Sequence, residues 1–220
     1  MNKIIGFGEK VEGYEIAVLN EREIRAAAGI FFLSVFISFM LIVFKGDFVS
    51  IKYNITVFLL DFLIRVFINP KFSPSLIIGR LIVGNQTPEY VGAKQKKFAW
   101  SIGIAMAATM FVLMVLVNSY SPISGIICLM CMIFLFFESV FGICLACKVY
   151  PLFFKDKVQY CPGEVCDVKS KQEIQKVSKV QLLMVVGLIG FVFLTHFLFQ
   201  KEISEKPFDL FGIEGNIDKK

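Results

Sequence analysis

The chain is predicted to be all-α, a polytopic membrane helix bundle of about five transmembrane helices with one short interfacial helix. Three observations carry this. Hydrophobic residues make up 56% of the 220 and charged residues only 19%, too apolar a balance for a soluble domain of this length. The apolar residues gather into five long runs, each near the roughly 20 residues that a helix needs to cross a hydrocarbon core of about 30 Å. The Lys and Arg residues are concentrated in alternate connections between the runs.

Residues 1–25 read as a polar arm on the cytoplasmic side, in which Asn20 caps a helix that carries Glu21 and Glu23 in its first turn. A membrane core is expected over 26–150. Its first two runs are Ala26 to Phe44 and Phe48 to Ile68; the second is the weaker, because it carries Lys52, Asp61 and Arg65. Next, Ser73 caps and Pro74 opens a ten-residue helix, Pro74 to Val83, too short to span and read as interfacial or re-entrant. Its Arg80 is expected to reach lipid headgroups or a carboxylate. The third run, Phe98 to Val117, has Ala99, Gly103 and Ala107 at four-residue spacing, a stripe that admits a close helix neighbour. Only "NSYSP" joins it to the fourth run, Ile123 to Cys147, so these two must form an antiparallel hairpin. A cysteine-bearing loop over 151–179, a fifth span over 180–199 and a polar external tail over 200–220 complete the chain.

Orientation follows from the basic residues. The arm, the 69–97 connection and the 148–179 connection carry 4, 5 and 7 of them, against 6 on the other side. The N-terminus is therefore expected in the cytoplasm and the C-terminus outside. The first 25 residues lack the pattern of a cleavable signal peptide, so the first span is expected to remain as an anchor. The net charge of +5 is thus a topology signal, and no basic stripe with interleaved aromatics suggests nucleic acid.

All six cysteines fall between positions 128 and 166. Cys128 and Cys131, inside the fourth run, are expected to pack as small apolar residues. Cys144 and Cys147 close that run beside Lys148, a Cys-X-X-Cys arrangement in which one thiolate attacks, the other resolves, and a cation lowers the thiol pKa. The end of a helix opposes this, since its partial negative charge disfavours a thiolate. Cys161 and Cys166 enclose Pro162 and Gly163, which favour a tight turn. The four together also fit the spacing of a four-cysteine zinc site. Packing without chemistry is the bland alternative.

Asp61 and Arg65 stand four apart in the acid-first order of a helical ion pair, structural on one reading and a proton or anion site on another. Glu138 is a further intramembrane acid, on nearly the same face as Cys131, with Arg65 or Trp100 as expected neighbours. His196, the single histidine, is read as structural. No P-loop, HExxH or GxSxG motif is present.

Four stretches in order, "GYEIAVLNEREIRAAAG", "DFLIRVFINPKFSPS", "GAKQKKFAWSIG" and "FGICLACKVY", resemble the bacterial membrane family called domain of unknown function 4395, over roughly residues 13–150. The resemblance implies a four-span core with Asp61, Arg65, Pro70, Ser73, Pro74, Cys144 and Cys147 on motif positions, and it implies no activity. The leading expectation is thiol-disulfide exchange or sulfur handling in the bacterial inner membrane by Cys144, Cys147, Cys161 and Cys166. Membrane lipid surrounds the protein, and a thioredoxin-like or sulfurtransferase protein is the expected partner. No cofactor is expected. The alternatives are a non-catalytic protein with zinc on those four cysteines, and a small transporter using Asp61, Arg65 and Glu138.

Overall fold

The computed structural model describes residues 7–14, 16–147, 149, 174 and 176–209. Six named helices form the frame: α1 (Glu21–Lys45), α2 (Val49–Leu63), α3 (Pro74–Val83), α4 (Ala93–Phe111), α5 (Pro122–Phe136) and α6 (Lys179–Ser204). Three of them widen into a π turn at their C-terminal ends: α2 over Ile64–Ile68, α4 over Val112–Leu116 and α5 over Phe137–Phe141.

The starts follow local chemistry. Asn20 accepts the Arg22 amide and Ser73 the Leu76 amide, while Pro74 fills a position whose missing N–H costs nothing. Ser121 and Ser124 exchange capping bonds at the head of α5, as Ser178 and Gln181 do at the head of α6.

α1 is the centre, touching α2, α3 and α5, while α4 packs on α2 and α5. Two layers of core fill the bundle. Near one end Ile24, Ala28, Phe31, Phe58, Phe62, Trp100 and Leu135 pack together; toward the other, Val35, Ile51, Ile55, Met110, Cys128 and Met132 do. The small-residue stripe of α4 meets α2: a Cβ on Gly103 would lie 2.6 Å from the Phe62 ring. An equally close approach, here onto backbone, joins α3 to α1, where a Cβ on Gly79 would lie 2.6 Å from the Glu23 carbonyl oxygen.

The connections sort to two ends. At one, β1 (Val18–Asn20) pairs antiparallel with β2 (Tyr90–Gly92), Gln181 donates to the Lys71 carbonyl at 2.8 Å, and Lys71 pairs with Glu9 at 3.2 Å. At the opposite end, β3 (Ser119–Tyr120) pairs parallel with β4 (Phe208–Asp209). There the buried Lys52 ammonium donates to Asn118 Oδ1 at 2.8 Å and to the Glu205 and Ile203 carbonyls at 2.7 and 3.3 Å. Those carbonyls end α6, where a helix favours a cation.

One expectation is revised and two are narrowed. α1, α4 and α5 with their π turns, and α6, are long and apolar enough to cross a membrane. α2 is not among them: with its π turn over Ile64–Ile68 it extends about 30 Å, but it carries Lys52, Asp61 and Arg65. The fourth run does not reach Cys147 as one helix: Gly142, at φ 65°, ends it after Phe141. Of the two partners expected for Arg80 the structure shows the carboxylate, Glu23 at 3.0 Å, and most of α3 is buried between α1 and α6.

Candidate functional site

At the end where β1 and β2 meet, α1, α2, α4 and α5 leave a cavity of about 70 Å³. Its walls are largely apolar, with Phe31, Phe62, Trp100 and Met106 among them, and Arg65, Cys131, Glu138 and Cys144 also reach it. Arg65 and Glu138 both stand on π turns, whose extra residue re-aims side chains and recurs at functional sites. The sequence-predicted Arg65, Glu138 and Cys144 therefore share one cavity, and Cys131 joins Glu138 on the same wall as its seven-residue spacing implied.

Asp61 is fully buried and saturated. It accepts from Arg65 Nε at 2.8 Å, Ser73 Oγ at 2.8 Å, the Ser75 amide at 3.0 Å and Ser75 Oγ at 2.6 Å. These four bonds occupy the acceptor capacity of a carboxylate. The Ser75 amide lies in the first turn of α3, so the helix dipole adds to the charge balance. Arg65 Nη2 donates to Ser75 Oγ at 2.6 Å, and its guanidinium lies over Phe62 and Trp100 at 4.4 and 5.0 Å from the ring centres. Asp61 thus locks α2 onto the head of α3 and leaves one face of Arg65 toward the cavity.

Glu138 pairs with neither Arg65 nor Trp100. Its partner is Lys96, whose buried ammonium also binds Glu21 Oε2 at 2.8 Å. Sequence reading missed Lys96, counting it only among the basic residues of the 69–97 connection. The signal was spacing: Lys96 lies four residues before Trp100 and eleven before Ala107, on the stripe of α4 that is buried.

Cys144 and Cys147 are free thiols; the half-buried Cys144 lines the cavity, and the buried Cys147 lies beside it without lining it. After Gly142 the chain begins a new helical turn over 145–147, and the Cys147 amide donates to Cys144 Sγ at 3.3 Å. Cys147 Sγ donates to the Gln95 carbonyl at 3.7 Å. Cys144 thus stands at the start of a turn, not at the end of a long helix, and the expected dipole penalty does not apply. Hydrogen bonding with Cys147, burial and the Glu138 charge nevertheless hold the Cys144 thiol above the ordinary range, with Lys96 opposing them.

Cys128 lies in the core beside Met132, as expected of a packing residue. His196 Nδ1 meets the Tyr53 hydroxyl at 2.9 Å, linking α6 to α2. Among the described residues no group of three His, Cys, Asp or Glu side chains could hold a metal ion. Lys148, Cys161 and Cys166 lie outside the described residues, as does nearly all of the 151–179 loop.

Long apolar helices around buried ion pairs define a polytopic helical membrane protein. The chain belongs to the family described as domain of unknown function (DUF4395), whose model matches residues 19–155. No curated protein and no solved structure matches it. The family match takes in Cys144, Cys147 and the whole cavity, and stops before Cys161, Cys166 and α6.

Proposed function

We propose that this is a thiol-handling protein of the bacterial inner membrane, with five spans, the N-terminus in the cytoplasm and the C-terminus outside. The observation that carries the thiol reading is the setting of Cys144. Its sulfur accepts the Cys147 amide, lies under the opposed charges of Glu138 and Lys96, and faces the cavity that Arg65 and Glu138 share. Cys144 as thiolate attacks one sulfur of a partner disulfide, forming a mixed disulfide and expelling one partner thiolate. Cys147 then attacks Cys144 Sγ, closing the Cys144–Cys147 disulfide and releasing the second partner thiolate. Two electrons pass to the partner and both cysteines are oxidised; the two protons they lose return to the partner thiolates. The partner is the Cys161 and Cys166 pair of the loop or a soluble thioredoxin-like or sulfurtransferase protein. The saturation of Asp61 supports a structural ion pair over an ion path through it.

Orientation rests on the surplus of basic residues at the end that holds the cavity. Reporter fusions after Gly163 and after the C-terminus should report opposite sides, with Gly163 inside. For the chemistry, the anaerobically purified full chain is assayed for bound zinc and titrated with glutathione of varied redox ratio. The expected result is metal-free protein in which Cys144 and Cys147 oxidise reversibly, and in which Cys147→Ser traps a mixed disulfide with thioredoxin. About one zinc per chain with thiols silent until chelation would replace this reading by the four-cysteine site. Thiols that neither oxidise nor trap a partner would end it.

A further inference from the structure

We infer that Cys144 accepts a single sulfane sulfur from a low-molecular-weight persulfide or polysulfide and holds it as a persulfide inside the cavity. The inference rests on the thiol reading of the same site and names its substrate. Three observations converge on it.

Size comes first. The cavity is about 70 Å³. About 10–15 Å³ on this measure holds one water, so the cavity takes a few heavy atoms and excludes a polypeptide. A protein disulfide is too large for this space, whereas one added sulfur atom on Cys144, which lines it, is not. Wall chemistry comes second. The rings of Phe31, Phe62 and Trp100 and the side chains of Met106 and Cys131 make up most of the wall, with Arg65 and Glu138 as its two charged members. Soft, polarisable walls suit a neutral or delocalised sulfur atom and disfavour a strongly hydrated oxygen oxidant. Charge comes third. A perthiol is a stronger acid than a thiol, so the persulfide carries its charge more readily than the thiol; the Lys96 ammonium favours that charge and the Glu138 carboxylate paired with it opposes it.

The chemistry balances without a further oxidant. The Cys144 thiolate attacks the terminal sulfur of the donor; the donor's S–S bond breaks, its remaining sulfur leaves as a thiolate, and Cys144–S–SH forms. The Cys147 thiolate then attacks Cys144 Sγ, the new S–S bond breaks, and hydrosulfide departs. The sulfane sulfur has gained two electrons and the two cysteines have lost them, leaving the Cys144–Cys147 disulfide for a dithiol reductant to reopen.

The test uses the full chain in lipid nanodiscs, without oxygen, and inorganic tetrasulfide as the donor. After a brief exposure the thiols are alkylated and each cysteine peptide is weighed. In the Cys147→Ser variant, Cys144 should gain the mass of one sulfur atom while Cys128 does not. In the unaltered chain the same exposure should release hydrosulfide and close the Cys144–Cys147 disulfide. Ala99→Leu, which projects a larger side chain into the cavity, should abolish the added sulfur on Cys144 in the Cys147→Ser background. Sulfur on Cys144 that persists in Ala99→Leu, or that matches Cys128, would overturn the inference. The glutathione titration separates the two readings. If Cys144 and Cys147 oxidise reversibly there but Cys144 gains no sulfur, the persulfide is wrong and the thiol reading stands; if neither occurs, both fall.

Discussion

Asp61→Asn should destabilise the bundle more than Asp61→Asn combined with Arg65→Gln. In the folded chain the carboxylate accepts four hydrogen bonds, and its charge offsets that of Arg65, both residues being almost wholly inaccessible. Asparagine keeps one oxygen for Ser73 and the Ser75 amide. Its NH₂ group, however, faces Arg65 Nε and leaves the guanidinium without a counter-charge. Removing one partner of a buried pair costs about 3–5 kcal/mol. Replacing both charges leaves only imperfect hydrogen bonds at Ser73 and Ser75, a loss of about 1–3 kcal/mol. The double variant should therefore be the more stable by about 2 kcal/mol. Trp100 is the only tryptophan and lies against Arg65, so its fluorescence reports this junction directly. Reversible unfolding in mixed micelles with rising SDS gives the comparison. A double variant as unstable as the single one, or less stable, would refute the argument. A double variant that folds normally but loses thiol activity as fully as the single one would make the pair part of the site.

Gly79→Ala should cost about 1–3 kcal/mol by overpacking, since the new methyl meets the Glu23 carbonyl at 2.6 Å, while Gly125→Ala, in open space, should cost far less in the same assay. Because the Cys144 thiol is held above its ordinary range, its alkylation should stay slow at neutral pH and keep accelerating above the pH at which an ordinary cysteine levels off. Glu138→Gln should move that profile down in pH and Lys96→Met should move it up, because the first removes a charge that disfavours the thiolate and the second one that favours it. Lys52→Met strips the donor from the Ile203 and Glu205 carbonyls and should loosen the end of α6, read as faster proteolysis after Ser204 with little change in Trp100 fluorescence.

Local chemistry was legible and long-range partnership was not. Asn20, Ser73 and Pro74 announce helix starts because a cap needs only its own next three residues. The Asp61 and Arg65 pair showed for the same reason, being one turn apart. What Ser73 and Ser75 do for that pair depends on how the chain folds back after Pro70, and no periodicity encodes it. Lys96 entered the sequence reading only as an orientation charge beside Lys94 and Lys97, and only the orientation of α4 against α1 and α5 turns it inward to Glu21 and Glu138. The apolar run to Cys147 concealed a break, because Gly142 is hydropathically silent while its left-handed backbone ends the helix. Cys144 thereby acquired a different electrostatic setting from the one its position in the run suggested.

The hold that Lys52 has on α6 also carries a clock. Lys52 belongs to the second helix made, and two of its three acceptors, the carbonyls of Ile203 and Glu205, belong to the last. Synthesis proceeds from the N-terminus at roughly 5–20 residues per second, so more than 150 residues must follow before that ammonium can find them. Until then only Asn118 is at hand, and the long lysine stem must carry its charge toward the membrane surface. The middle of α6 offers almost no buried surface to guide it, so its arrival is registered at its ends and at the His196–Tyr53 contact. A ribosome that stops short of Ile203 would leave a nascent chain whose helices have met but whose lysine still waits.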